Sequence, residues 1–318
     1  MIISKVTFEI VDIMKMQENC MEINYCKSCP RKCRVNRINE KGFCGESSII
    51  RAAKACLHKW EEPCISTGKG AGAVFFSGCN MKCVYCQNYN ISSCEQIGMQ
   101  LSVSQLADIF LRLQDAGAAN IDLVTPTHFS YEIIKALDMV RHKLKIPVIY
   151  NCGGYELVSV IHDLNGYVDI YLPDIKYYSD EIAFKYSSVN NYFKHASEAV
   201  IEMTNQLGNL KYSGDTLIRG TIIRHLIIPN CRKDSIKIME WINDNLDKNK
   251  FLLSLMSQYT PNETVKNSFS ELNRRITKME YNSVLKKAAE FEFNGFSQDK
   301  SSAASDYTPD FNLSGLTG

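Results

Sequence analysis

From residue 73 onward, short apolar and β-branched runs alternate with stretches of helical periodicity, and that alternation calls for a parallel sheet. Runs at 73–76, 121–124, 147–150, 168–172, 221–228 and 251–255 read as strands. Between them Leu106, Ile109, Phe110 and Leu113 recur at helical spacing, with Gly117 as a stop. Helical segments also read around 131–144, 156–164, 192–207 and 235–246. Parallel neighbours need crossover connections, which helices supply. Six such units fall short of the closed eight-unit barrel, so an open or partial barrel of six units is expected. In either version the loops after the strand C-termini build the site. The loop after Phe76 falls there, as do Thr125, Asn151 and Asp174.

Composition excludes several classes. The 318 residues are 45% hydrophobic and 22% charged, which suits a globular chain with a large core. Thirty-six basic against 35 acidic residues leave +1, so no net field recruits nucleic acid or anionic lipid. Glu9, Asp12 and Lys15 interrupt the N-terminus before a signal-peptide run develops, and no stretch approaches the roughly 18 apolar residues of a membrane span. The expectation is a soluble, cytoplasmic protein without a membrane or nucleic-acid partner. A local basic cluster of Lys27, Arg31, Lys32, Arg34 and Arg37 reads as a solvated face.

Thirteen cysteines depart from this ordinary picture. An odd number, without an export signal, argues against a disulfide framework. Seven fall in two clusters: Cys26, Cys29, Cys33 and Cys44 (C-x2-C-x3-C-x10-C), then Cys79, Cys83 and Cys86 (C-x3-C-x2-C). Three thiolates on one short loop can hold three irons of a four-iron cluster and leave the fourth open for substrate. Spacing alone equally allows a zinc site completed by Cys94 or a histidine. The four N-terminal thiolates suffice for a closed zinc site or an auxiliary iron–sulfur cluster. Residues 1–72, cysteine-rich and broken by Gly42, Gly45, Gly68, Gly70 and Gly72, read as a small metal-stapled module. Residues 73–265 form the barrel, and 266–318 hold C-terminal helices and, from 297, an extended tail.

The C-x3-C-x2-C loop after a first strand, with Tyr85 before its last cysteine, resembles radical S-adenosylmethionine (radical SAM) enzymes. Further motifs resemble the branch known as pyruvate formate-lyase activating enzyme-like proteins. They include Cys29-Pro30-Arg31-Lys32-Cys33, Asn36-Arg37, Gly42-Phe43-Cys44-Gly45 and Glu61-Glu62-Pro63-Cys64. Thr125-Pro126-Thr127-His128-Phe129, Tyr150-Asn151-Cys152-Gly153-Gly154-Tyr155-Glu156, Leu172-Pro173-Asp174-Ile175-Lys176 and Arg224-His225-Leu226-Ile227-Ile228-Pro229 continue the pattern. The resemblance covers most of residues 26–297. It implies a partial (β/α)6 barrel and a [4Fe–4S] cluster on Cys79, Cys83 and Cys86 whose open iron chelates S-adenosylmethionine. Reductive cleavage then gives methionine and a 5′-deoxyadenosyl radical that abstracts hydrogen from a substrate. It also implies a one-electron donor such as flavodoxin or ferredoxin, and a glycyl radical enzyme, or another protein or peptide, as the target.

Single residues follow from the same resemblance. Tyr85 is expected near the adenine. Asp174 and Lys176 resemble an Asp-x-Lys pair of activases, with Asp174 toward the cofactor and Lys176 catalytic; a buried ion pair is the other reading. Arg224 is expected to hold the cofactor carboxylate as a fork; a structural salt bridge is the other reading. His128, after a strand, is expected as a substrate-side acid or base, with a hydrogen-bonded structural histidine as the other reading, and His225 should face away from Arg224. Where radical SAM enzymes usually carry Gly-Gly-Glu, this chain has Thr125-Pro126-Thr127-His128, and the activases' Asp appears as Asn151, expected against the cofactor. The competing class is a non-catalytic iron–sulfur or zinc protein serving binding or electron transfer.

Overall fold

The computed structural model describes residues 25–93, 97–298 and 309–317; Cys94 lies outside the described residues. The described strands are β1 (Ile50–His58), β2 (Ala71–Phe76), β3 (Met99–Leu101), β4 (Ile121–Val124), β5 (Val148–Cys152), β6 (Ile170–Pro173), β7 (Lys211–Ser213), β8 (Thr216–Leu226), β9 (Phe251–Met256) and β10 (Gly295–Ser297). They form one sheet in the order β10-β9-β8-β6-β5-β4-β2-β1-β3, with β7 as a side hairpin on β8. From β2 through β9 along this path, all neighbours are parallel, and they follow chain order. The six expected strands are β2, β4, β5, β6, β8 and β9, and the mixed α/β fold with a parallel sheet is as expected.

The parallel strands read as continuous apolar runs because they are buried on both faces. Every residue of β2, β4, β5, β6 and β9 is buried. Register is unbroken across the parallel strands: Val74 pairs with Leu123, Leu123 with Tyr150, Tyr150 with Tyr171, Tyr171 with Thr221, and Thr221 with Phe251. Val74 and Leu123 pack against the helices Val103–Asp115 and Ser130–Val140. Tyr150 and Tyr171 pack against Val158–Asp163 and Tyr192–Leu207. Alternate residues face the interior, where Ile149, Ile170, Leu172, Ile222 and Leu252 meet Cys64 and Ile65. The helix Val103–Asp115 begins at a capping box of Ser102 and Gln105 and buries Leu106, Ile109, Phe110 and Leu113. Each such side chain contributes roughly 1.5–3 kcal/mol of burial.

The stretch assigned to the N-terminal module contributes a strand to this sheet. β1 runs antiparallel to β2, with His58 opposite Ala71, and the loop 59–70 then carries Glu61 and Glu62 toward the barrel interior. The expected C-terminal tail is also engaged. Leu313 and Ser314 bond to the backbone of Ala53 and Ala55, Phe311 packs edge-on against Phe75, and Leu316 is buried. Among the described residues no helix is long and apolar enough to cross a membrane.

Glu156, just past β5, ties two strand-end loops together. It is 1% exposed; its Oε1 accepts from the Thr127 hydroxyl at 2.6 Å and its Oε2 from Tyr150 at 3.2 Å. Burial pushes its carboxyl up to about 8, so the neutral form belongs to the folded state. Because the folded value lies above the unfolded one, its contribution is full below about pH 4.5 and is lost as pH rises through about 8. Wild-type stability should therefore fall over that interval by an amount on the order of a few kcal/mol. Glu156→Gln should flatten the fall, as read by urea unfolding at a series of pH values; parallel curves for the two proteins would refute the assignment.

Candidate active site

The strand C-termini open into a cavity of about 720 Å³. Its wall includes Cys79, Cys83, Cys86 and Tyr85 from the loop after β2, Asn151 from β5, and Asp174, Lys176 and Arg224 from the ends of β6 and β8. Phe75 and Val124 line it from inward-facing strand positions, and exposed Trp60 lies on its rim.

The cysteine loop is tightly wound. Lys82 has φ of 54°, a left-handed conformation that costs a non-glycine residue roughly 1–2 kcal/mol, and the Cys86 N–H closes a turn on the Cys83 carbonyl at 3.1 Å. The Met81 N–H donates to Cys79 Sγ at 3.3 Å. A chain of hydroxyls ends on the second thiol: Ser187 Oγ donates to Cys83 Sγ at 2.9 Å, and Tyr177 bonds Ser187 at 2.6 Å and Tyr85 at 2.6 Å. Each hydroxyl has one proton to give. With Ser187 committed to sulfur, Tyr177 donates to Ser187 and Tyr85 to Tyr177, so every dipole points toward Cys83.

The wall formed by the ends of β5, β6 and β8 carries charge. Arg224 Nε donates to Asp174 Oδ1 at 2.9 Å, Nη2 to Asn151 Oδ1 at 2.5 Å, and Nη1 to Glu61 Oε2 at 3.4 Å. Lys176 Nζ reaches Asp174 Oδ2 at 2.6 Å. Burial alone would raise Asp174, but Arg224 and Lys176 outweigh it and hold the carboxylate below its ordinary range. Burial opposes charge on Lys176 too, yet Asp174 and Cys83 raise it. Burial pushes Glu61, Glu62 and Asp122 upward, only partly offset by Arg224. Asp122 Oδ1 and Glu62 Oε2 are buried without a hydrogen-bond partner.

Of the residues singled out in the sequence, Cys79, Cys83, Cys86, Tyr85, Asn151, Asp174, Lys176 and Arg224 meet at this cavity. The guanidinium of Arg224 is committed to protein acceptors, and Asp174 with Lys176 is a buried ion pair on the cavity wall. His225 bonds the Ile175 carbonyl at 2.6 Å, away from the cavity. His128, expected as a substrate-side acid or base, is not on the cavity wall: its Nε2 bonds the Ser77 carbonyl at 2.7 Å and Arg37 holds its backbone carbonyl. Burial, followed by Arg37, lowers it to about 3, so the ring is neutral and Nε2 is the donor. Cys26, Cys29, Cys33 and Cys44 also stand outside the cavity wall. Among the described residues no three His, Cys, Asp or Glu side chains converge as they would on a single metal ion. Glu61, Glu62 and Asp122 were assigned no role in the sequence. The signal for Asp122 was an acid inside the apolar run Ile121-Asp122-Leu123-Val124, since an unpaired buried charge is costly.

Comparison with known proteins agrees with this architecture. The family model for the radical SAM superfamily matches residues 73–242. An uncharacterized protein of Methanocaldococcus jannaschii is 32% identical over 285 residues, covering 85% of this chain and 75% of that one. Two solved structures align more distantly. A radical SAM methyltransferase from Sphaerobacter thermophilus has TM-score 0.48 and 14% identity over 72% of this chain and 66% of that one. Streptococcus suis SuiB bound to S-adenosylmethionine has TM-score 0.48 and 11% identity over 70% and 48%. This chain spans less than two thirds of either solved chain. The family model covers more than half of the sequence, and by that match and the archaeal relative this chain belongs to the radical SAM superfamily.

Proposed function

We propose that Cys79, Cys83 and Cys86 ligate a [4Fe–4S] cluster and that the charged wall facing them holds S-adenosylmethionine, for reductive cleavage and hydrogen abstraction from a substrate. The observation that carries this reading is that three thiols of one loop line the same cavity as Tyr85, Asn151, Asp174, Lys176 and Arg224. The donor set fits such a cluster: the sulfurs receive an N–H at Cys79 and an O–H at Cys83, and iron–sulfur centres are tuned by such bonds. When bound, the cluster and cofactor supply one-electron cleavage of the sulfonium to methionine and a 5′-deoxyadenosyl radical.

The chain's own residues then position and insulate. Tyr85, 6% exposed, packs against Tyr177 and Tyr259 and keeps water from the cysteine loop. Arg224 holds Asp174, Asn151 and Glu61 in one arrangement, so the acceptors facing the cofactor are set before it binds. Burial pushes the Cys83 thiol up, and the Lys176 ammonium opposes that rise. The motifs resembling pyruvate formate-lyase activating enzyme-like proteins support a finer reading. In it the target is a glycyl radical enzyme, or another protein or peptide, and the donor is a flavodoxin or ferredoxin. Cys26, Cys29, Cys33 and Cys44 are in this reading a second metal position, zinc or iron–sulfur.

The direct test is anaerobic reduction with dithionite in the presence of S-adenosylmethionine. Wild type should release methionine and 5′-deoxyadenosine, Cys79→Ala neither, and an iron-loaded wild type that releases neither would overturn the reading. The hydroxyl chain makes a second prediction. Ser187→Ala removes the donor to Cys83, so the reduced cluster loses stabilisation and its potential should become more negative, by on the order of tens of millivolts. An electron paramagnetic resonance titration reads this directly, and an unchanged or more positive potential would refute the role of Ser187.

A further inference from the structure

The segment 25–49 contains no helix or strand, and its burial is inverted. Tyr25, Ile38 and Ile49 are 59%, 59% and 49% exposed, whereas Cys26, Cys29 and Cys44 are 7%, 6% and 7% exposed. What this segment turns inward is three thiols together with the polar Ser28, Arg37 and Glu46, while Cys33 is half-buried. Thiols are small and weakly cohesive, and a segment this short gains most from a metal staple. All four cysteines are free thiols. The Cys26 N–H bonds Val35 and its carbonyl receives Arg34, folding the loop back on itself. The Phe43 N–H donates to Cys33 Sγ at 3.4 Å. A Cβ placed on Gly42 would lie 3.5 Å from Cys44 Sγ and 3.7 Å from Cys33 Sγ, so the remote fourth cysteine stands beside the loop of three.

The distribution is three cysteines on one short loop and a fourth eleven residues on, a three-and-one division like that of cubane ferredoxins. Structural zinc sites more often place their ligands two and two. The local backbone also matches the radical loop: Lys32 before Cys33 and Lys82 before Cys83 have φ of 43° and 54°.

The two sites touch. The Cys79 N–H donates to the Cys44 carbonyl at 3.2 Å. Gly78 permits this approach, since a Cβ there would lie 2.6 Å from that carbonyl and 2.5 Å from Glu46 Cγ. Arg31 spans the junction, its guanidinium 3.5 Å over the Phe43 ring and its Nε 2.8 Å from the Asn80 carbonyl. A ligand of one set is thus one hydrogen bond from a ligand of the other.

We propose that Cys26, Cys29, Cys33 and Cys44 bind a second iron–sulfur cluster, and that the Cys44–Cys79 contact passes its electron to the cluster on Cys79, Cys83 and Cys86; the relay rests on the radical SAM reading of that site. One electron leaves a reduced donor of the flavodoxin or ferredoxin class and reduces the N-terminal cluster. It then reoxidises that cluster by moving to the second, and is consumed in breaking one sulfonium carbon–sulfur bond. No proton or group moves in the relay itself.

The test compares the full chain, anaerobically reconstituted with ferrous iron and sulfide, with a Cys79→Ala/Cys83→Ala/Cys86→Ala variant and a Cys33→Ala/Cys44→Ala variant. The triple variant should keep about half of the wild-type iron and sulfide and give a resonance signal after dithionite reduction. Reduced wild type should show a signal broadened by coupling between two centres, beyond the sum of the signals of the two variants. Zinc in place of iron in the triple variant, a disulfide, or no metal overturns the second cluster. A wild-type spectrum equal to the sum of the two variants overturns the relay. Iron in the triple variant with none in a folded double variant overturns the radical reading and the relay with it, while the second cluster stands.

Discussion

The unbroken register of β2, β4, β5, β6, β8 and β9 is the constraint on which the rest depends. A strand alternates its side chains between two faces, so a slip of one residue exchanges them all. Such a slip in β4 would turn Asp122 and Val124 into the helix layer and Leu123 into the cavity. In β8 it would trade Arg224 for His225. The helices prevent this by demanding Val74, Leu123, Tyr150 and Tyr171 on their side. Apolar packing outside the sheet thus sets which polar groups gather inside it.

Gathering them has a cost that the cavity meets only in part. Glu61, Glu62, Asp122 and Asp174 crowd around Arg224, with Lys176 as the second cation on Asp174. Breaking one partner from such a group costs about 3–5 kcal/mol, so it is held as a unit. Asp174, gripped by both cations, stays charged; Glu61, Glu62 and Asp122, further from compensation, are pushed toward their neutral forms. The wall is therefore graded, with a fixed anion nearest Lys176 and acids that readily hold a proton behind it.

The strands of the barrel were legible because burial on both faces leaves an apolar run, and the cysteine loop because three cysteines stand so close together in the sequence. β1 was not legible. Ile50-Arg51-Ala52-Ala53-Lys54-Ala55-Cys56-Leu57-His58 has poor strand formers and no clean alternation, and only pairing with β2 makes it a strand. Its alanines leave room for the C-terminal residues 311–316, so the expected tail lies against it for the same reason. His128 carried two readings. Its position after a strand suggested chemistry, but the Thr127–Phe129 turn directs its ring to the Ser77 carbonyl. The glutamates at 61 and 62 stood out only within the motif Glu61-Glu62-Pro63-Cys64 and were given no role, because nothing in a loop sequence says that it returns into a barrel. For Arg224 the sequence left a cofactor fork and a structural salt bridge open, and its three protein acceptors could not be read locally because they lie on three different segments of the chain.

Ser77 and Gly78 connect these observations. The Ser77 carbonyl takes the His128 proton, the Ser77 N–H bonds Arg51 on β1, and the Gly78 N–H bonds Ile91. The backbone leaving β2 is thus held on three sides before Cys79 begins. Arg37 fastens the N-terminal cysteine segment to the same junction through the carbonyl of His128. A neutral, immobile histidine suits this position better than a titrating one, because a charge there would face Arg37 and Arg51. The cysteine loop therefore starts from a rigid anchor shared by β1, β2 and the N-terminal segment, and the approach of Cys44 to Cys79 follows from that anchor rather than from either cysteine loop alone.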